Sequence, residues 1–347
     1  MSTPVRLAVA GAGLVGRRHA QAIPAAGALL AGIADPSTEA QAFAATLGVP
    51  WHSSLEALLA AGGVDGVILA TPNALHEEGA IACVSAGVAV LVEKPIAATA
   101  AQGRRMVAAA DAAGVPLAVG HHRRHNPIVA RARALIAEGR LGTITAVHGS
   151  AWLAKPDAYF EAAWRREAAA GPVLVNLIHD IDLLQHLVGP IAEVAAYESR
   201  VVRGHAAEDT GVMMLRFAGG ALGTLTVSDA TVAPWSWELT ARENPAYPPT
   251  AEDCYRIAGT HGALALPSLT LWTDGGARDW WAPIGATRFP HGSADPLVAQ
   301  AAQFAAVARG EAVPLVSGAA GLAALEVIEA MKRSAAAGGA PMRVPGH

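Results

Sequence analysis

The sequence predicts two domains: an α/β doubly wound parallel sheet over residues 1–121, and over 122–347 an α+β domain with a large, mainly antiparallel sheet. Three observations carry this. Short, wholly apolar runs alternate with Ala-rich stretches of helical length through the first 120 residues. Beyond them the runs become β-branched or alternate with period two. The length, 347 residues, suits two domains rather than one.

Val5–Ala10, Leu29–Ala34, Val67–Ala70, Ala89–Val92 and Leu117–Val119 are apolar on both faces, as buried parallel strands are. Between them His19–Ala26, Thr38–Leu47, His76–Ala86 and Thr99–Ala113 read as helices, the last three stopped by Gly48, Gly87 and Gly114. Right-handed crossovers then place helices on both faces of one parallel sheet. Past residue 120, Ile128–Glu138 and Leu174–Leu187 read as helices. Thr143–Ser150, Glu193–Val202, Val212–Phe217, Ala221–Ser228 and Tyr255–Gly259 read as strands. Ala218-Gly219-Gly220 marks a hairpin. Pro296–Arg309 and Gly321–Ala336 are closing helices, and Ala233–Tyr255 is a long loop whose Trp235, Trp237 and Tyr247 are expected to cover substrate or meet a neighbouring subunit.

Composition narrows the function. With 52% hydrophobic and 16% charged residues the chain has ample core material, and a net charge of −4 offers no basic footprint for nucleic acid. The two cysteines, Cys83 and Cys254, stand outside any metal or disulfide spacing, so a reducing cytoplasm is expected. Leu7–Gly16 is apolar but leads into glycines and Arg17-Arg18 rather than a cleavage site, and no apolar run is long enough to span a membrane. Lys94, Lys155 and Lys332 are the only lysines. In so Ala- and Arg-rich a chain, each retained lysine draws notice.

Gly11-Ala12-Gly13-Leu14-Val15-Gly16 follows the first strand and opens a helix, the context that makes GxGxxG a Rossmann-type dinucleotide loop. Gly11 serves the tight turn, Gly13 the approach of a pyrophosphate and Gly16 close helix–strand packing. Leu14 and Val15 contribute first-turn N–H groups to the anion. Asp35 ends the second strand 19 residues after Gly16, where a carboxylate accepts from ribose hydroxyls and repels a 2′-phosphate. No Lys or Arg lies between His19 and Glu93, so NAD is expected over NADP. Thr71-Pro72-Asn73 and Glu93-Lys94-Pro95 follow the third and fourth strands, at the carboxyl ends where open α/β sheets bind ligands. Lys94 there suits an oxygen-stabilising or proton-handling role.

Together, the glycine loop, Thr71-Pro72-Asn73 with His76, and Glu93-Lys94-Pro95 resemble the Gfo/Idh/MocA oxidoreductases. The likeness continues through His122–Pro127, Gly139–Gly142, the signature Gly171–Asp182, and Asp295–Leu297 to Pro314–Gly318, and so covers the whole chain. It implies NAD-dependent hydride transfer on the CH–OH group of a sugar, polyol or related hydroxy compound, with Lys94 and His179 as the catalytic pair. Cofactor contacts fall on the glycine loop, Asp35, Thr71, Pro72, Asn73, His76 and Glu93. Substrate contacts fall on Lys94, His122, Arg124, Trp164, Arg165, Asn176 and His179. One departure stands out: where the signature usually has Asp four residues before His, the chain has Val175, with Asn176 three before. Asn orients a hydroxyl but takes no proton, which shifts proton handling to His179 or Lys94. On one helix, Asn176, His179 and Asp182 would share a face. No metal is expected, because a metal would duplicate the work of Lys94 at the same oxygen. Alternatives are a non-catalytic NAD-binding sensor, and a reductase of C=N or C=C bonds in which His179 donates its proton. A homodimer or homotetramer is expected to cover the exposed sheet face.

Overall fold

The computed structural model describes residues 4–346. They fall into two compact units: one takes the chain up to Asn126 together with Ala294–Leu325, the other Pro127–Ser293 together with the chain from Glu326. The chain therefore passes between the units three times.

In the first unit, six parallel strands, β1 (Arg6–Ala10), β2 (Leu29–Ala34), β3 (Trp51–His52), β4 (Gly66–Leu69), β5 (Ala89–Val92) and β6 (Leu117–Val119), lie in the order β3-β2-β1-β4-β5-β6. Val67, Ile68 and Leu69 are all 0% exposed, as expected of a strand with helices over both faces. The helices are α1 (Leu14–Ala25), α2 (Thr38–Leu47), α3 (Leu55–Ala61), α4 (His76–Ser85) and α5 (Ala100–Ala113). Ser37, Ser54 and Thr99 cap α2, α3 and α5 by accepting from backbone N–H groups, and Thr99 with Gln102 completes a capping box.

Three points here differ from the sequence reading. α1 starts five residues earlier than expected, because the glycine loop itself forms its first turn. β3 is only two residues long and α3 seven, too short for periodicity to reveal.

The second unit holds α6 (Pro127–Ala137), β7 (Ile144–Trp152), α7 (Pro172–Val175), α8 (Leu177–Val188), β8 (Ile191–Ser199), β9 (Thr210–Phe217) and β10 (Leu222–Ser228). It continues with α9 (Trp237–Thr240), β11 (Tyr255–Gly259), β12 (Ala263–Leu266), β13 (Thr270–Thr273) and β14 (Gly285–Arg288). α10 (Pro296–Ala308) then packs with the first unit, where Phe304 is fully buried among its core residues. α11 (Gly318–Ala336) and β15 (Met342–Arg343) close the chain.

The nine-stranded sheet runs β14-β13-β12-β11-β7-β10-β9-β8-β15 and is antiparallel except for β7–β10. β9 alternates cleanly: Met213, Leu215 and Phe217 face the core, while Val212, Met214 and Arg216 face outward.

The helix expected over Leu174–Leu187 is two helices. Asn176, with φ −102° and ψ −55°, interrupts them. α7 starts at Pro172, and the Val173 N–H donates to the buried Glu208 carboxylate, 2.9 Å away. Gly171 leaves room for that carboxylate, which a Cβ would strike. The long loop also departs from expectation. Ser236 caps one turn of helix there, α9, and Trp237 is 1% exposed with its ring centroid 5.9 Å from that of Tyr255. Trp237 is thus a core residue, not a cover for substrate; Trp235 stacks edge-on against Trp152 at 5.5 Å.

Among the described residues no helix is long and apolar enough to cross a membrane.

Candidate functional site

The first unit builds a dinucleotide cradle at the carboxyl ends of β1, β4 and β5. Gly11 has φ +91°, and a Cβ there would lie 2.5 Å from the Ala70 carbonyl oxygen; at Gly16 a Cβ would collide with the Gly11 carbonyl. These glycines are what allow β1, β4 and α1 to converge. Around Gly13 there is open space. Gly13 is the N-cap of α1 and supplies no side-chain cap, so the first-turn N–H groups are left for an outside acceptor, and Leu14 is 83% exposed beside them. A pyrophosphate fits such a cradle.

Asp35 is more constrained than the sequence suggests. Its Oδ2 accepts the Ala12 N–H at 2.8 Å, and its Oδ1 accepts the Ser37 N–H at 2.9 Å and the Ser37 hydroxyl at 2.6 Å. Burial pushes the carboxyl upward, but these three donors and the Arg17 guanidinium outweigh it and hold Asp35 below the usual carboxylate range. Arg17 lies over the Phe43 ring at 4.6 Å and donates to the Ala12 carbonyl at 2.9 Å. A sequence search for basic residues after His19 misses Arg17, because the first turn of α1, not chain order, brings it beside Asp35.

Farther along the strand ends, Pro72 and Asn73 are exposed, Thr71 half-buried and His76 buried. The His76 ring is held between two carbonyls, Nδ1 at 2.9 Å from Pro95 O and Nε2 at 2.9 Å from Thr71 O. Burial lowers its pKa, and the two carbonyls only partly oppose that. His76 therefore ties the turn after β4 to the turn after β5. Lys94 is half-buried at the end of β5, and the Lys94–Pro95 peptide is cis. Glu93 packs against His19 of α1, its Oε1 2.6 Å from Nε2. Burial is the largest influence on the Glu93 carboxyl and acts upward; the His19 hydrogen bond and the charges of His19, Lys94 and His122 reverse it and bring the value to about 2. Glu93, Lys94, His122 and His19 thus form one cluster. Arg124 reaches the Leu315 carbonyl at 3.4 Å. His19 had no motif to betray it; only its place one turn past Gly16 pointed toward the strand ends.

In the second unit the break at Asn176 shapes the other cluster. The Asn176 Oδ1 is buried without a hydrogen-bond partner among the described residues, an acceptor left open at the start of α8. His179 is 8% exposed, one turn on, with its N–H donating to the Asn176 carbonyl at 3.2 Å. Asp180 and Asp182 are each 1% exposed, and Asp180 accepts from the Tyr255 hydroxyl. That bond fixes α8 to β11, a link no local pattern announces. Trp164 is 55% exposed, while Arg165 donates to the Tyr159 carbonyl at 2.8 Å and lies 4.2 Å over its ring. Lys155 pairs with Asp229 at 3.3 Å and Lys332 with Glu198 and Glu208 at 2.9 and 2.7 Å. Two of the three lysines are therefore spent on ion pairs inside the second unit.

Comparison with known proteins assigns the class. Residues 5–121 match the model of an oxidoreductase family with an NAD-binding Rossmann fold, and residues 129–265 match the GFO/IDH/MocA C-terminal domain. The chain is 32% identical over 284 residues to inositol 2-dehydrogenase 1 of Saccharopolyspora erythraea, covering 79% of this chain and 77% of that one. It is 32% identical over 215 residues to the 1,5-anhydro-D-fructose reductase of Ensifer adhaerens, covering 61% of this chain and 60% of the reductase. The WlbA dehydrogenase of Bordetella pertussis, solved with NADH and UDP-GlcNAcA, superposes with a TM-score of 0.80 at 32% identity, over 99% of this chain and 100% of that one. The chain belongs to the GFO/IDH/MocA family of oxidoreductases.

Proposed function

We propose that the protein is an NAD-dependent dehydrogenase acting on the CH–OH group of a sugar, polyol or related hydroxy compound. The observation that carries this is the Glu93–Lys94–Pro95 turn: Lys94 stands at a strand end of the sheet that presents the glycine cradle, and its neighbour Glu93 is held ionised. The relatives act on substrates of this class, an inositol in one case and 1,5-anhydro-D-fructose in another.

The cofactor, when bound, supplies the hydride acceptor or donor. The glycine loop and uncapped α1 hold its pyrophosphate, Asp35 takes its ribose hydroxyls, and Thr71, Pro72, Asn73, His76 and Glu93 line or support its path. Lys94 places a positive charge on the substrate oxygen as charge develops there. His179 accepts the hydroxyl proton in oxidation and returns it in reduction. Asn176, with its unsatisfied Oδ1, orients the hydroxyl through that atom. His122, Arg124, Trp164 and Arg165 complete the substrate contacts. Asp35 favours NAD over NADP; the reaction is of the alcohol dehydrogenase type and needs no metal.

Two copies meet through the outer face of the nine-stranded sheet, in a homodimer or homotetramer. That face carries a groove of about 710 Å³ lined by Val194, Met214, Leu222, Arg216 and Arg256, with Met214 56% and Leu222 57% exposed. A cytoplasmic location fits the cysteine usage.

The test is NADH absorbance with NAD and a panel of polyols and aldoses that includes myo-inositol. Lys94→Ala and His179→Ala are each expected to abolish turnover and leave NADH binding nearly intact. Full activity in either variant overturns the assignment, and silence across the panel despite tight NADH binding favours a sensor.

A further inference from the structure

Helix α1 carries a second device besides the glycine loop. His19 is 0% exposed, and its Nε2 meets the Glu93 Oε1 at 2.6 Å, joining two elements 74 residues apart in sequence. The other carboxylate oxygen, Oε2, accepts the Lys94 backbone N–H at 3.1 Å. Around this carboxylate the backbone is pinned as well: Glu93 N donates to Leu69 O at 2.8 Å, and Gly120 N donates to Val92 O at 2.7 Å. Gly120 also leaves the space the carboxylate occupies, since a Cβ there would lie 2.9 Å from it. The other ring nitrogen of His19, Nδ1, is buried with no hydrogen-bond partner among the described residues. A histidine buried on an Ala-rich helix with Glu93 as its hydrogen-bonding partner is costly to keep unless that contact is its purpose.

We propose that His19 is a positioning residue for Lys94: its ring clamps the Glu93 carboxylate, and the carboxylate holds the Lys94 backbone in place. The clamp couples the helix that receives the pyrophosphate to the turn that carries the lysine. It rests on the reading of Lys94 as an active-site residue, and it assigns Glu93 to support of Lys94 more than to contact with the cofactor. Displacement of a catalytic group by about 1 Å costs on the order of a hundredfold in rate, which is the scale on which such a clamp matters.

The test uses the full-length protein with NADH and follows hydrogen exchange of the Lys94 amide. His19→Leu keeps the bulk and removes the donor, and is expected to speed that exchange about tenfold or more while NADH affinity stays within about threefold. His19→Gln restores a donor at the reach of Nε2 and is expected to restore the protection. Gly120→Ala, whose added Cβ would crowd the Glu93 carboxylate at the oxygen His19 holds, should reproduce the loss. Wild-type protection in His19→Leu, or a His19→Gln variant as impaired as His19→Leu, overturns the proposal. If His19→Leu fails to fold, Gly120→Ala decides: unchanged exchange there overturns it. Turnover retained in Lys94→Ala would instead end the functional reading, while the exchange data still decide whether the clamp exists.

Discussion

The two sheets bury their strands in opposite ways. In the first, β4 is covered on both faces, and the groups that matter stand beyond the strand ends, in the turns at Gly11–Gly16, Thr71–Asn73 and Glu93–Pro95. In the second, β9 buries one face and leaves Val212 48% and Met214 56% exposed, and the polar cluster sits instead on a helix broken at Asn176. The difference follows from connectivity. Parallel strands need crossover helices, which cover the faces and leave only the ends free; hairpin-linked strands leave a whole face open. The first unit therefore has only its strand ends free, while the second keeps a whole sheet face open.

The strongest way to break this comparison is at the two clusters themselves. Lys94→Ala should abolish measurable turnover, a fall in kcat of about a thousandfold or more, as the loss of the charge proposed to face the developing oxyanion, and His179→Ala should do the same, as the loss of the proposed general base. Steady-state NADH production measures both, and a loss confined to one unit's residue would mean that one cluster works without the other. Next in size is the outer sheet face. Met214→Glu places a charge in the apolar groove without touching the core, and it should convert the proposed oligomer to a monomer in sedimentation velocity; a wild-type sedimentation profile would show that the open face meets no second copy.

A smaller effect is expected at the ribose end. Asp35→Ser removes the carboxylate, and NADP should gain about tenfold on NAD in relative affinity, with Arg17 beside the new space to receive a 2′-phosphate. An unchanged ratio by fluorescence titration would show that Asp35 braces Ala12 and Ser37 and does no more.

The smallest effect is acid stability. His76 has a pKa below 6.5 when folded, so it binds its proton more readily in the unfolded chain, and stability falls as the pH drops below 6.5. Glu93 ionises near pH 2 when folded against an ordinary 4.5, so its contribution is present above 4.5 and is lost as the pH falls from 4.5 toward 2. Glu93→Gln should flatten the pH dependence in that lower window and leave the step below 6.5 in place, as urea unfolding at a series of pH values would show.

Much of this was legible because it is local. Buried parallel strands announce themselves as apolar runs, and β2, β5 and β6 have the bounds that composition alone implies. The glycine loop is legible for the same reason, since its demands are made by neighbouring residues on one another. What stayed hidden is short or distant. β3 has two residues, and β12 to β14 are four each, below the length at which alternation separates from chance. Pairing with a neighbour stabilises those strands, β3 on β2 and β12, β13 and β14 in succession outward from β11, and pairing is not written in any one of them.

The sequence by itself determined the class of fold and the dinucleotide loop, because each is set by spacing within a few residues; the lysine and histidine on which the proposed chemistry rests were singled out as a pair by resemblance to a family. Only the tertiary structure decided that α10 returns to the first unit, that Trp237 belongs to the core, that Tyr255 secures Asp180, that Arg17 flanks Asp35, and that His19 grips Glu93. Those contacts join residues far apart in the chain. They exist because burial favours apolar packing and a partner for most polar groups, and which partner is within reach is settled only when the elements pack.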